Sequence, residues 1–390
     1  MTPKKWINPI VEHMKPSGIR RFFDMMDTME NVISLTVGEP DFVTPKSIRE
    51  AAIHALEDGK THYTSNAGLA KLREEIGAYL SRRFDLHYDP AQEIIVTVGA
   101  SEGIDASLRT LISPGDEVIV HEPNYVSYEP LIELCQGVPV VLNTKAENRF
   151  RITKEELAQC ITPKTKALIL VYPNNPTGAI MEQQDLEEIA PLLQKEGIFV
   201  ITDEIYAELT YNGKKHVSIA SLPGMRDLTI LISGFSKAFA MTGWRMGYMV
   251  APAPIMKQLL KIHQYAIMCS PTVSQYGAIE AMQHCQKDAE AMIAEYDTRR
   301  KLITGLFRDM GLPVFEPEGA FYIFPDIRST GMTSEEFCAD LLEKQHVAMV
   351  PGTAFGDCGE GFVRVSYASS VQNIQEACKR IRLYLETIRK

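Results

Sequence analysis

Residues 229–250 read TILISGFSKAFAMTGWRMGYMV. Two apolar runs, TILIS at the start and RMGYMV at the end, have the composition of buried strands. Between them stand Lys237 and Arg245, among small, apolar and hydroxyl residues and with no acid in the stretch to neutralise either. A lysine in a solvent-facing loop is the ordinary reading of such a charge. The buried flanks argue against it, because a cation held between two buried strands needs a partner or a task.

Outward from this stretch, short β-branched runs alternate with amphipathic segments. EIIVTVGA (93–100), DEVIVHE (116–122), VPVVLNT (138–144), KALILVY (166–172), IFVITDEIY (198–206) and TILISG (229–234) are predicted strands. EGIDASLRTLI (102–112) and EQQDLEEIAPLLQKEG (182–197) are predicted helices, the second closed by its glycine. Near-continuous apolar strands alternating with helices imply an α/β fold, a mostly parallel sheet covered on both faces. After about residue 285 the character changes. A long charged helix (about 286–310) leads to short strands near AFYIF (320–324), VAMVP (347–351) and FVRVSYA (362–368), which indicates a smaller α+β domain. The expected division is a large domain over 36–285 and a small one from 1–35 and 286–390. The N-terminal segment is too short to fold alone and is expected to pack on the small domain or on a partner chain.

With 390 residues the chain is long enough for two such domains. A net charge of −10 with no basic stripe argues against nucleic acid as the main partner. The seven cysteines are scattered, without a CxxC pair or a second His–Cys pair at metal spacing. Neither a disulfide framework nor a metal site is expected, and reduced thiols in the cytoplasm fit better. The N-terminus lacks the apolar core of a signal peptide, and no apolar run approaches the length of a membrane span.

In open parallel sheets ligands sit beyond the carboxyl ends of the strands, and five polar signals fall there. In VTVGASEGID (96–105) the amides from Gly99 to Glu102 begin a helix and suit a phosphate, with an empty tight turn as the competing reading. Glu102 would oppose an anion if it pointed inward. YPNNPTG (172–178) is a rigid turn that fixes Asn175, unless it is only a turn. In ITDEIY (201–206), Asp203 is either a helix N-cap or a buried carboxylate awaiting a cation, with Tyr206 close behind. Lys237 and Arg245 are the fourth signal. Arg364, inside the alternating strand FVRVSYA, is the fifth: an internal salt bridge, or a bidentate clamp for a carboxylate or phosphate. Together they ask for one molecule with an aldehyde, a phosphate, a pyridine nitrogen and a ring hydroxyl, which are the groups of pyridoxal phosphate.

The order and spacing of these motifs, with ISLTVGEPDF (33–42), YTSNAGLAKLREEI (63–76) and PEGAFYIFP (317–325), resemble the class I/II aminotransferases of the fold-type I pyridoxal-phosphate enzymes over nearly the whole chain. The likeness is greatest to bacterial enzymes described as alanine, aspartate, aromatic or acetyl-diaminopimelate aminotransferases. The resemblance implies pyridoxal 5′-phosphate as cofactor. It implies a ping-pong transfer of an amino group from an L-amino acid to a 2-oxo acid such as 2-oxoglutarate or pyruvate. It assigns the Schiff base and proton transfer to Lys237, the pyridinium partner to Asp203 and the ring 3′ oxygen to Tyr206 and Asn175. Arg245, Ala100 and Ser101 would hold the phosphate, Tyr125 would stack on the ring, and Arg364 with Gly38 and Asn175 would take the substrate carboxylate. Tyr63 would reach the neighbouring subunit's phosphate, which requires a homodimer. Two departures stand out. Where many relatives carry a phosphate-binding serine this chain has Gly234, so Ser233 or Ser236 must compensate. Position 125 is tyrosine where some dicarboxylate enzymes have tryptophan.

Competing functions are a C–S β-lyase or a sulfonium ring-closing enzyme on the same scaffold, and a non-catalytic pyridoxal-phosphate-binding regulator. The regulator is disfavoured by the acidic charge and by the lack of room for a DNA-binding module ahead of the fold. A purely structural protein would not need Lys237, Asp203, Tyr206 and Arg245 together. Arg20, Arg21, Ile19, Phe22 and Tyr322 are candidates for reading the substrate side chain. His121 is read as a core or rim histidine.

Overall fold

The computed structural model describes residues 6–14 and 29–388. A short strand β1 (Ile33–Ser34) precedes seven strands that form the main sheet: β2 (Ile94–Thr97), β3 (Glu117–Glu122), β4 (Val138–Asn143), β5 (Thr165–Val171), β6 (Phe199–Asp203), β7 (Thr229–Gly234) and β8 (Gly247–Val250). Their spatial order is β2-β8-β7-β6-β5-β3-β4. Strands β4, β3, β5, β6 and β7 pair in parallel, and β8 runs antiparallel to both β7 and β2. Six strands therefore end at one edge of the sheet, and β8 begins there. The central strands are buried on both faces, so β5, β6 and β7 are mostly apolar without alternation, whereas the edge strand β4 is part-exposed. This is the mostly parallel α/β sheet of fold type I.

The remaining strands are short. β9 (Tyr322–Ile323), β10 (Val347–Ala348), β11 (Val350–Pro351) and β12 (Val363–Ser366) follow the 24-residue helix Gln286–Asp309. β11, β12 and β9 form an antiparallel sheet, and β10 pairs in parallel with β1. A core of Ile303, Phe307, Phe337, Val365, Ile381 and Tyr384, among others, fills the space between these strands and the helices Gln286–Asp309, Ser334–Gln345 and Val371–Ile388. No helix among the described residues is long and apolar enough to cross a membrane.

Several boundaries differ from the sequence reading, each for a local reason. The strand expected over 93–100 stops at Thr97. Gly99 takes a left-handed φ of 76° and the helix starts at Ala100, two residues earlier than its apolar pattern indicated. The strand expected over 198–206 stops at Asp203, whose Oδ1 accepts the Ile205 amide at 3.1 Å and turns the chain. The run 347–351 divides at Met349 into strands of two different sheets. Gly197 closes the helix Gln183–Glu196 with φ 66°, as the sequence implied.

The start of β8 packs tightly against the Gly99–Ala100 turn. A Cβ on Gly247, the first residue of β8, would lie 2.6 Å from the carbonyl carbon of Gly99 and 2.9 Å from the amide of Ala100. Gly247→Ala should therefore force β8 off the 99–100 turn and cost about 1–3 kcal/mol in a denaturant titration. Gly305→Ala, in a helix and with nothing within 4 Å of the added carbon, should gain roughly 0.5–1 kcal/mol in the same titration.

Candidate active site

A cavity of about 390 Å³ opens where the strands of the main sheet end. It collects residues from eight separate segments, including Gly38, Ala100, Tyr125, Asn175, Asp203, Lys237 and Arg364. The sequence signals thus converge on one space.

Asp203 is the last residue of β6 and is 5% exposed. Burial pushes its carboxyl up to about 6. The Tyr128 hydroxyl, donating to Oδ2 at 2.9 Å, and the Ile205 amide hold it back from rising further. It caps a turn and no helix follows, so the N-cap reading accounts for only one of its oxygens. Lys237 lies in the turn after β7, part-buried, and donates from Nζ to the Gly38 carbonyl at 2.5 Å. Burial lowers its amine to about 8. Glu39 opposes this, while Arg364 and Arg245 push the same way. A large fraction of the amine is consequently neutral near pH 8, as a nucleophile or base requires.

Arg364, in β12, is 3% exposed. Its Nη1 donates to Asn175 Oδ1 at 3.0 Å and its Nη2 to the Thr36 carbonyl at 2.6 Å, while Nε is buried with no protein partner. The rings of Tyr322 and Phe355 lie 4.6 and 4.7 Å from the guanidinium carbon. No carboxylate among the described residues pairs with it, so the internal-salt-bridge reading falls. A buried cation facing a cavity without a counter-ion is built for an anionic ligand.

At the other end, Arg245 sits in left-handed backbone (φ 53°), with Nη1 donating to the Thr242 carbonyl at 2.9 Å. Its Nη2 packs on Gly99, where a Cβ would stand 2.4 Å away. The guanidinium therefore adjoins the first amides of the helix Ala100–Leu111, which have no acceptor within the helix. Glu102 does not oppose an anion there. Its Oε2 accepts the Val98 amide and its Oε1 faces His263. Gly234 has no room for a serine, since a Cβ would meet the Met246 carbonyl oxygen at 2.8 Å. Of the two possible substitutes, Ser236 lines the cavity and Ser233 donates instead to the Glu204 carbonyl at 3.1 Å.

Tyr206 lines the cavity and bonds to the Tyr322 hydroxyl at 2.8 Å. Burial drives its phenol well above its ordinary value. Tyr125 is 36% exposed at the cavity wall, edge-on to Tyr128. Tyr63 is 81% exposed and borders a different hollow with His62, Cys269 and Thr272, so its own chain does not bring it to the cavity. Arg20, Arg21, Ile19 and Phe22 lie outside the described residues. His121 is a core histidine. It stacks on Tyr172, accepts the Val171 amide at Nε2, and is kept neutral by burial, which lowers it to about 3.

The sequence reading missed Tyr128, Glu39 and Thr242 as cavity residues. Tyr128 opens the helix Tyr128–Leu134 and donates to Asp203, a contact that nothing local in the sequence signals. The assembled donors fit pyridoxal phosphate. The acid suits a pyridine nitrogen, the amine an aldehyde, the Gly99 turn with Arg245 a phosphate, and Arg364 an amino-acid carboxylate.

The family model described as aminotransferase class I and II matches residues 30–381. The chain is 46% identical over 374 residues to an aspartate aminotransferase of Pyrococcus abyssi, covering 95% of this chain and 96% of that one. It is 42% identical over 378 residues to aromatic-amino-acid aminotransferase 2 of Thermococcus litoralis, covering 96% and 97%. The crystal structure of an aromatic aminotransferase from Pyrococcus horikoshii superposes with a TM-score of 0.90 at 44% identity, covering 94% of this chain and 99% of that one.

The elevated carboxyl of Asp203 has a measurable consequence in cofactor-free protein. A group raised in the folded state contributes fully below its unfolded value, near 3.8, and that contribution is lost as pH rises through about 6. Asp203→Asn apoprotein should therefore outlast the parent at pH 8, on the order of 2 kcal/mol by thermal or urea melts, and match it near pH 4.

Proposed function

This chain belongs to the class I and II aminotransferases, and from that premise we propose how its residues divide the work. It is a pyridoxal-phosphate-dependent enzyme that moves an amino group from an amino acid to a 2-oxo acid. The observation that carries the residue assignment is the meeting of a buried acid, a lysine of depressed pKa and an unpaired buried guanidinium in one cavity. When bound, the cofactor supplies an aldehyde that accepts the amino group and a ring that withdraws electrons from the substrate Cα.

In this reading Asp203 holds a proton at the ring nitrogen, and Tyr128 keeps its carboxylate aimed. Tyr206 and Asn175 hold the ring 3′ oxygen, and Tyr125 covers a ring face. Arg245, Ser236 and the amides of Ala100 and Ser101 bind the phosphate. Arg364 takes the substrate α-carboxylate, helped by Asn175 and by the close backbone at Gly38. Lys237 would hold the cofactor aldehyde, and its amine, when free, would take the proton from the substrate Cα. The second oxo acid reverses these steps in a ping-pong cycle.

We further infer a homodimer with shared sites, in which Tyr63 serves the partner's phosphate. Its exposure outside its own cavity supports this. A division into 36–285 and 1–35 with 286–390 is supported by the confinement of the main sheet to residues 94–250 and by the β1–β10 pairing. A cytoplasmic location accords with seven free thiols. The donor is an α-amino acid of the alanine, aspartate, aromatic or acetyl-diaminopimelate type.

Adding amino acids singly to the purified holoenzyme should shift the cofactor's visible band with a true donor, and 2-oxoglutarate or pyruvate should restore it. Pyruvate and ammonia released from a cysteine conjugate without any acceptor would mark a lyase instead. Lys237→Ala should slow the half-reaction by at least ~10²–10⁴, and a near-parental rate would overturn the assignment. Subunits carrying Tyr63→Ala or Lys237→Ala, each impaired alone, should regain activity when co-expressed, since one site of each mixed dimer is then intact. No recovery would mean that Tyr63 does not cross the interface.

A further inference from the structure

The helix Ala253–Ala266 carries one fully buried histidine, His263, away from the cavity. Both ring nitrogens are engaged. Nε2 lies 2.8 Å from the backbone carbonyl oxygen of Asn66, and Nδ1 lies 2.5 Å from Glu102 Oε1. A carbonyl oxygen only accepts, so Nε2 carries a proton, and a second proton lies between Nδ1 and the carboxyl. The other oxygen of Glu102 accepts the Val98 amide at 2.5 Å. Val98 and Glu102 thereby bracket the Gly99–Ser101 turn.

Asn66 belongs to the loop that presents Tyr63. Its side chain donates to the Met268 carbonyl at 2.8 Å, and the same loop is tied down by Thr272 Oγ1 on the His62 carbonyl at 2.7 Å and by Gln275 Nε2 on Thr64 Oγ1 at 3.1 Å. A space-filling apolar side chain would hold the helix without desolvating an imidazole and a carboxylate. The polar pair is instead fitted to two specific partners on two segments.

We propose that His263 is a positioning residue that braces the Gly99–Ser101 phosphate turn against the Tyr63 loop, so that one side chain aligns a subunit's own phosphate site with the tyrosine it offers to its partner. This rests on the reading of the turn as the phosphate site and of Tyr63 as an interface residue. The two bonds can be tested separately, because an asparagine amide falls near Nδ1 and a glutamine amide near Nε2.

In the holoenzyme, His263→Ala should raise the pyridoxal phosphate dissociation constant about tenfold or more and move the ³¹P resonance of the bound cofactor. His263→Asn should recover the Glu102 bond, and with it cofactor affinity and the resonance. Turnover of its homodimer should stay impaired through the Tyr63 loop, and mixed dimers with Lys237→Ala subunits should regain activity, because their one lysine-bearing site takes Tyr63 from the Lys237→Ala subunit. His263→Gln should do the converse, losing affinity in its own site and gaining nothing from co-expression. A folded His263→Ala holoenzyme with parental affinity and an unmoved resonance would overturn the proposal. So would Asn and Gln variants that fail alike in step with a lowered melting temperature, which would mark plain packing. Arg245→Ala separates the two levels. If its resonance moves and that of His263→Ala does not, only the brace is wrong. If neither moves, the phosphate lies elsewhere and the underlying reading fails together with the brace.

Discussion

Arg364 is a buried cation with no carboxylate beside it among the described residues, and much of the molecule is arranged so that this is tolerable. Its two terminal nitrogens are held by Asn175, from the turn after β5, and by the Thr36 carbonyl, just after β1. Two aromatic rings cover its sides. One guanidinium from the small antiparallel sheet thus joins the main sheet and the chain's early segment. The hydrogen bonds hold its two terminal nitrogens but leave Nε and the charge uncompensated, which suits an anionic ligand. A buried ion pair here would be self-sufficient and inert.

The same logic governs the opposite wall. Asp203 is buried beyond what a carboxylate tolerates comfortably, and Tyr128 with the Ile205 amide reduces the penalty without removing it. Lys237 is desolvated until its amine is partly neutral. Each group is kept short of compensation, and each lacks what a pyridine nitrogen, an aldehyde or a carboxylate would bring. Folding supplies the energy that holds them in place, and binding completes them. This is preorganisation in the electrostatic sense, with little rearrangement left for the reaction itself.

The sequence made the sheet legible because β5, β6 and β7 are mostly apolar and do not alternate, the pattern of a doubly covered sheet. It made Lys237, Asp203 and Arg364 legible because a charge inside such a run contradicts its surroundings. Tyr128 and His263 escaped for the opposite reason. An aromatic or a histidine on an amphipathic helix breaks no local rule, and its role arises from contacts with residues 75 and 161 positions away. Strand ends escaped where a single backbone angle or cap decides them, as at Gly99 and Asp203. Gly234 was seen as a departure, but its cause, the Met246 carbonyl oxygen packed against it, lies across the sheet in the chain's return toward β8.

The distribution of charge in the cavity also explains how one wall serves enzymes of different preference. Three cations, Lys237, Arg245 and Arg364, line it among the described residues. In this reading they are committed to the amine, the phosphate and the α-carboxylate. The other charged groups of the described wall are Asp203, which the same reading gives to the ring nitrogen, and Glu39, which accepts from Thr242. A second substrate carboxylate would need a cation from beyond this set, whereas an apolar or aromatic side chain needs only space. Donor preference therefore changes through residues at the rim, while the strand ends that hold the shared chemistry stay fixed. Relatives with names as different as aspartate and aromatic aminotransferase can then share a backbone this closely.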